Sequence, residues 1–89
     1  MSTRLLPEKE LKVLLYLNTK KVAHWTEVSK ATGIPPSSTR VYLSRLKKKG
    51  LVDVKGRVWY ITELGEKVAS RVLEEAIEKT VEEEKGERQ

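Results

Sequence analysis

Cysteine is absent from the 89 residues, and His24 is the single histidine. The first absence rules out disulfides, thiolate metal sites and cysteine nucleophiles. The second leaves a histidine-rich metal site without ligands. No apolar run approaches the ~20 residues that a bilayer span needs. Leu5-Leu6 is cut short by Pro7 and charged residues, so no secretory signal is visible and the expected location is the cytoplasm. There is no Ser/His/acid set, no glycine-rich phosphate loop and no carboxylate pair placed for a cleft, so enzyme chemistry is not expected and no cofactor is implied. Asn, Gln and Met are scarce while Lys and Glu abound, a balance typical of hyperthermophile proteins. No repeat or low-complexity linker divides the chain.

Eighty-nine residues suffice for one domain; split in two, neither half would bury a stable core. Charge is unevenly spread. Residues 1–60 carry 13 Lys/Arg and 4 Asp/Glu, a net of +9, while residues 61–89 carry 5 and 9, a net of −4. A basic body with an acidic tail points to a polyanionic partner for the body.

Pro7 suits a first helical turn, Glu8 and Glu10 favour its positive end, and Leu11, Leu14, Leu15 and Leu17 recur at helical spacing. The sequence therefore predicts a helix from Pro7 to about Leu17, with Val22–His24 a short extended piece after it. A second helix is expected over about Trp25–Thr32, with Thr26 as N-cap, Val28 and Ala31 facing inward and Gly33 as the stop. Pro35-Pro36 bars continuation, and Pro36 opens a third helix that ends before Gly50. Leu51–Val54 and Arg57–Ile61, rich in β-branched and aromatic residues around Gly56, read as a two-stranded hairpin. Thr62 then caps a long final helix, Glu63 to about Glu84. Its apolar residues are Leu64, Val68, Val72, Leu73, Ala76, Ile77 and Val81.

The third helix carries the chemistry. Successive helical residues turn by about 100°. That groups Thr39, Tyr42, Leu43 and Leu46 on a core side, and Ser37, Arg40, Val41, Ser44, Arg45 and Lys48 on an outer side. The outer strip has no acidic residue and interleaves short hydroxyls with long cations. Such a face can enter a DNA major groove: small residues permit close approach, arginine reaches guanine edges or phosphate, and Val41 can touch a thymine methyl group. Lys47-Lys48-Lys49 is less specific, since lysines also favour the negative end of a helix.

The order helix, helix, glycine turn, helix, hairpin, helix resembles the winged helix-turn-helix family. Thr26–Ile34 looks like that family's second helix and turn, and Pro35–Leu46 like its recognition helix. Gly50-Leu51-Val52 looks like the lead into its wing. Tyr60–Gly65 resembles the step from wing to following helix in MarR-, ArsR- and PadR-type regulators. The implied fold is mainly α with a small β-hairpin: a three-helix core, a two-stranded wing and a long C-terminal helix. The resemblance implies that the third helix lies in the major groove of double-stranded DNA, with Ser37, Ser38, Arg40, Val41, Ser44 and Arg45 near bases or phosphates. It also puts the wing tip, Lys55-Gly56-Arg57, along a neighbouring backbone, and offers the Thr26 end of the second helix to a phosphate. Trp25 and Trp59 are expected in core or interface.

The division expected is a DNA-binding core over 1–62, a dimerisation helix over 63–84 and a frayed tail over 85–89. The core can cover only the first turns of the final helix, so Val72, Leu73, Ala76, Ile77 and Val81 are expected to pair with a second copy, joined by Leu5 and Leu6. A homodimer would present two recognition helices about 34 Å apart. A DNA-binding protein of this kind is expected in the cytoplasm, associated with the nucleoid. Two other readings remain: a winged-helix protein-interaction module of a larger transcription or chromatin assembly, and a non-specific DNA-coating protein.

Overall fold

In a computed structural model, the backbone is described from Leu6 to Glu87 and side chains as far as Ile77. Pro7 N-caps the first helix, α1 (Glu8–Lys20), and its carbonyl accepts the Leu11 N–H at 2.9 Å. α1 presents Val13, Leu14 and Leu17 fully buried to the core. It runs three residues past the expected end and stops at Lys21, which has a positive φ of 73°. That reversal sends the chain into β1 (Val22–His24).

α2 (Trp25–Thr32) follows without a break. Its N-cap is His24 rather than the expected Thr26: the His24 side chain accepts the Thr26 N–H at 3.2 Å. A cap accepts from the N2 or N3 amide, and Thr26 is itself that second residue. Ala31 is exposed, contrary to expectation, and Ser29 and Thr32 are buried beside Val28 instead. Their hydroxyls are satisfied locally. Ser29 Oγ donates to the Ile34 carbonyl at 2.6 Å and Thr32 Oγ1 to that of Val28 at 2.7 Å. Thr39, fully buried on the next helix, donates to the same Ile34 carbonyl at 3.1 Å. Buried hydroxyls with partners cost little, and here they lock the turn between the two helices.

α3 (Pro36–Lys48) buries Thr39, Leu43 and Leu46, as its periodicity predicts. Its end is a Schellman motif: Leu51 N–H reaches the Leu46 carbonyl at 3.0 Å and Gly50 N–H the Lys47 carbonyl at 2.9 Å. β2 (Val52–Lys55) and β3 (Val58–Ile61) form the wing. The sheet has a third strand that the hairpin pattern did not reveal. β1 pairs antiparallel with β3, Ala23 opposite Trp59, giving the order β1-β3-β2. Three residues of strand are too few to announce a partner 36 positions away.

Thr62 caps α4 (Glu63–Glu87), its Oγ1 accepting the Gly65 N–H at 3.0 Å and donating to the Gly50 carbonyl at 2.7 Å. The helix start is drawn tightly onto the chain leaving α3. A Cβ built on Gly65 would lie 2.0 Å from the Leu51 carbonyl oxygen and 2.7 Å from Ile61 Cγ1. Ala69 and Val68 join the core, where α4 packs on α1. Beyond Ala69 the helix leaves the body, and the molecule extends 53 × 24 × 20 Å. Leu64, Leu73 and Ile77 are exposed. Leu6, expected at an interface, is buried in the chain's own core. The expectations for Leu5 and for the Val81 side chain fall outside the described residues, as does the end of the 85–89 tail.

α1 and α2 are also joined by Tyr16, whose hydroxyl donates to Glu27 Oε2 at 2.8 Å. The carboxylate accepting that proton, with partial burial and repulsion by the same charge, holds the phenol above its ordinary pKa of 10.0. The neutral phenol therefore stabilises the fold below that pH, and the contribution is lost as pH climbs through the raised value. Urea melts of Tyr16→Phe should show lower stability than the parent at pH 7, and the gap should close as pH rises through the raised phenol pKa, above the ordinary 10.0. A gap independent of pH would remove the hydrogen bond as its source.

Candidate nucleic-acid interface

The outer strip of α3 is open. Ser37, Arg40, Val41, Ser44, Arg45 and Lys48 are all exposed, while Ser38 is half-buried at the helix start. The helix gains this one-sided character from its period: with Thr39, Leu43 and Leu46 facing inward and Tyr42 at their edge, the ~100° step turns Ser37, Arg40, Val41, Ser44, Arg45 and Lys48 outward.

The wing closes on that strip from the side. A cleft of about 670 Å³ lies between them, with Arg40, Val41, Ser44, Arg45 and Lys48 on the α3 wall. Val54, Gly56, Arg57 and Trp59 form the wing wall, and Trp25 lines it from the start of α2. Four of these residues are cations and none is acidic. The wing tip is a two-residue turn, Gly56-Arg57, between Lys55 and its partner Val58. Gly56 has φ 65° and Arg57 has no positive φ, the type II′ requirement that makes glycine the natural first residue. Lys55 is exposed at the end of β2 but outside the cleft walls.

The two arginines of α3 sit differently. Arg40 Cζ is 5.2 Å from the centroid of the Trp25 ring. Arg45 Cζ is 5.9 Å from that of Tyr42, and its Nη1 is 3.6 Å from Glu10 Oε2. Glu10 is 1% exposed, and Lys49 Nζ donates to its other oxygen at 2.8 Å. A carboxylate this deep needs charged partners to offset its lost hydration. α1 thus carries a buried anion under the basic helix.

Sequence reasoning brought together the α3 strip and Arg57. It placed Trp25 and Trp59 in core or interface, and both are half-buried, packed against the core while lining the cleft. It read Glu10 only as a favourable charge at a helix start, not as a buried partner of Arg45 and Lys49. Thr26 lies at the expected end of α2, but its N–H already donates to His24. Among the described residues no group of His, Asp and Glu is placed to hold a metal ion, and no helix is long and apolar enough to cross a membrane.

A family model described as sugar-specific transcriptional regulator TrmB matches residues 6–64. Over 70 residues the chain is 39% identical to the phenylalanine–tRNA ligase alpha subunit of Sulfolobus acidocaldarius, covering 79% of this chain and 15% of that protein. Among solved structures, Bordetella bronchiseptica BpsR, whose DNA binding is regulated by 6-hydroxynicotinic acid, superposes with a TM-score of 0.79 at 24% identity, over 89% of this chain and 61% of its own. A MarR family regulator from Neisseria meningitidis gives 0.72 at 22% identity, over 82% and 56%. The chain therefore spans less than two thirds of each of these three proteins. The structural likenesses show the fold, a winged helix as the sequence led us to expect.

Proposed function

The chain belongs to the TrmB family of transcriptional regulators, a family of DNA-binding regulators rather than enzymes, and from that premise we propose that it reads the major groove of duplex DNA with α3. Arg40, Val41 and Ser44 lie against bases, with Ser37, Ser38, Arg45 and Lys48 near bases or phosphates at their edges. Arg57 and Lys55 of the wing hold the adjacent backbone, and Thr26 approaches phosphate through its side chain or the helix end. The mechanism is non-covalent: cations release counterions from phosphate, and the strip on α3 discriminates sequence. The observation that carries this reading is the uncovered, acid-free strip of α3 beside a cleft walled by four cations.

The same reading makes residues 1–62 the DNA-binding core and 63–84 a homodimerisation element, and puts the protein in the cytoplasm. Leu73 and Ile77, one turn apart and exposed, support a second copy as the partner, with Val72 and Ala76 beside them and Val81 further along. The identity to a tRNA ligase segment favours a second reading, contact with structured RNA. The exposed strip of α3 argues for DNA, because the A-form major groove is too deep and narrow for side chains to read.

Selection of bound duplexes from a random pool tests the proposal. Enrichment of a motif with two similar half-sites is the expected outcome. Binding without enrichment would indicate a DNA-coating protein. Failure to shift any duplex at moderate salt would indicate a protein-interaction module, and tighter binding to tRNA than to selected duplex would indicate the RNA reading.

A further inference from the structure

We propose that the two arginines of α3 divide the work: Arg40 selects the base, Arg45 is a tethered phosphate contact, and Trp25 is the residue that positions Arg40. The inference rests on the major-groove reading above.

Arg40 lies over the Trp25 ring at 5.2 Å, and no acidic residue lines the cleft around it. A long side chain that docks on a base gives up rotamer freedom. An arginine already stacked on an indole has given up much of that freedom beforehand, while its N–H groups stay available at the edge of the guanidinium plane. The indole is itself held. It opens α2, and the His24 ring stacks beside it with centroids 5.8 Å apart and an interplanar angle of 29°. His24 in turn is fixed by its place in β1 and by its hydrogen bond from Thr26.

Arg45 is committed elsewhere. Its Nη1 faces Glu10 at 3.6 Å, and Glu10 is buried and anchored by Lys49. Reading guanine takes two coplanar N–H groups free at once, whereas a phosphate contact can also be made with a single N–H. Turning Arg45 fully toward a base would also strip a buried carboxylate of part of its compensating charge. The tether thus suits a backbone contact.

The test uses the full chain, the selected duplex and its single-base variants, at several salt concentrations. Arg40→Ala should flatten discrimination at one base pair of each half-site by about 5- to 100-fold. Trp25→Leu should reduce discrimination at that same base pair by about three- to tenfold, with Trp25→Phe retaining more of it. The double variant should discriminate no worse than Arg40→Ala alone. Arg45→Ala should weaken all sequences alike and lower the slope of log affinity against log salt by about one. If Trp25→Leu does not fold, Trp25→Met, which also lacks a ring, takes its place. A ringless variant that keeps full discrimination while Arg40→Ala loses it overturns the role of Trp25 and leaves the major-groove reading intact. Discrimination that survives Arg40→Ala overturns both. Loss of one base-pair preference in Arg45→Ala overturns the division of work.

Discussion

Gly65→Ala loses about 2 kcal/mol of folding stability, the net of two opposed effects. Alanine at a helical position gains up to about 1 kcal/mol over glycine. Against that, the new methyl group meets the Leu51 carbonyl oxygen at 2.0 Å, and a backbone atom cannot rotate away as the end of a flexible side chain can. Overpacking costs about 1–3 kcal/mol, and a clash with a fixed backbone atom belongs at the upper end of that range. The Leu51 carbonyl also accepts the Thr62 N–H at 3.0 Å, so retreat of either segment strains the cap that starts α4. For a domain of this size, 2 kcal/mol corresponds to a fall in melting temperature of roughly 8–16 °C. Thermal denaturation followed by circular dichroism measures it. A melting temperature equal to or above the parent's would show that the wing and α4 can separate without cost.

Ile77→Asp is expected to turn a dimer into a monomer and to weaken binding to a two-half-site duplex by about 10²- to 10⁴-fold, the avidity that joining two modules supplies. Ile77 is 63% exposed and Leu73, one turn before it, 43%. A second copy of α4 would bury both, and a carboxylate in the middle of that contact would lose its hydration without gaining a partner. Because Ile77 is not part of the core, the variant should stay folded as a monomer, with its core helices intact by circular dichroism. Sedimentation equilibrium gives the mass, and affinity for one half-site serves as the control, since that affinity should not change. A variant that remains dimeric would place the interface elsewhere, and a parent protein that is already monomeric would remove the dimer from the proposal.

The α3 strip was legible because its logic is local. One helical period sorts Thr39, Leu43 and Leu46 from Arg40, Val41, Ser44 and Arg45 whatever else the chain does. The Thr62 cap and the tight turn at Gly56 were legible for the same reason. α2 was harder. Eight residues with few apolar side chains leave the period underdetermined, so Ala31 was placed inside, although hydroxyls fill the buried positions by bonding to nearby carbonyls. His24 and Thr26 are both able to cap, and only the backbone at Trp25 decides between them. Glu10 carried no signal of its burial. An acidic residue in a first helical turn reads as a favourable end charge, and its partner Lys49 is 39 positions away.

By itself the sequence determined the elements and the chemistry of each face, because caps, turns and helical periodicity act over a few residues. The tertiary structure alone decided which of those faces meet. Packing of α3 against α1 sets a buried carboxylate beneath Arg45, and pairing of β1 with β3 brings the wing and the start of α2 to one cleft. These outcomes depend on distances between segments far apart in the chain, and no pattern within a single segment encodes them.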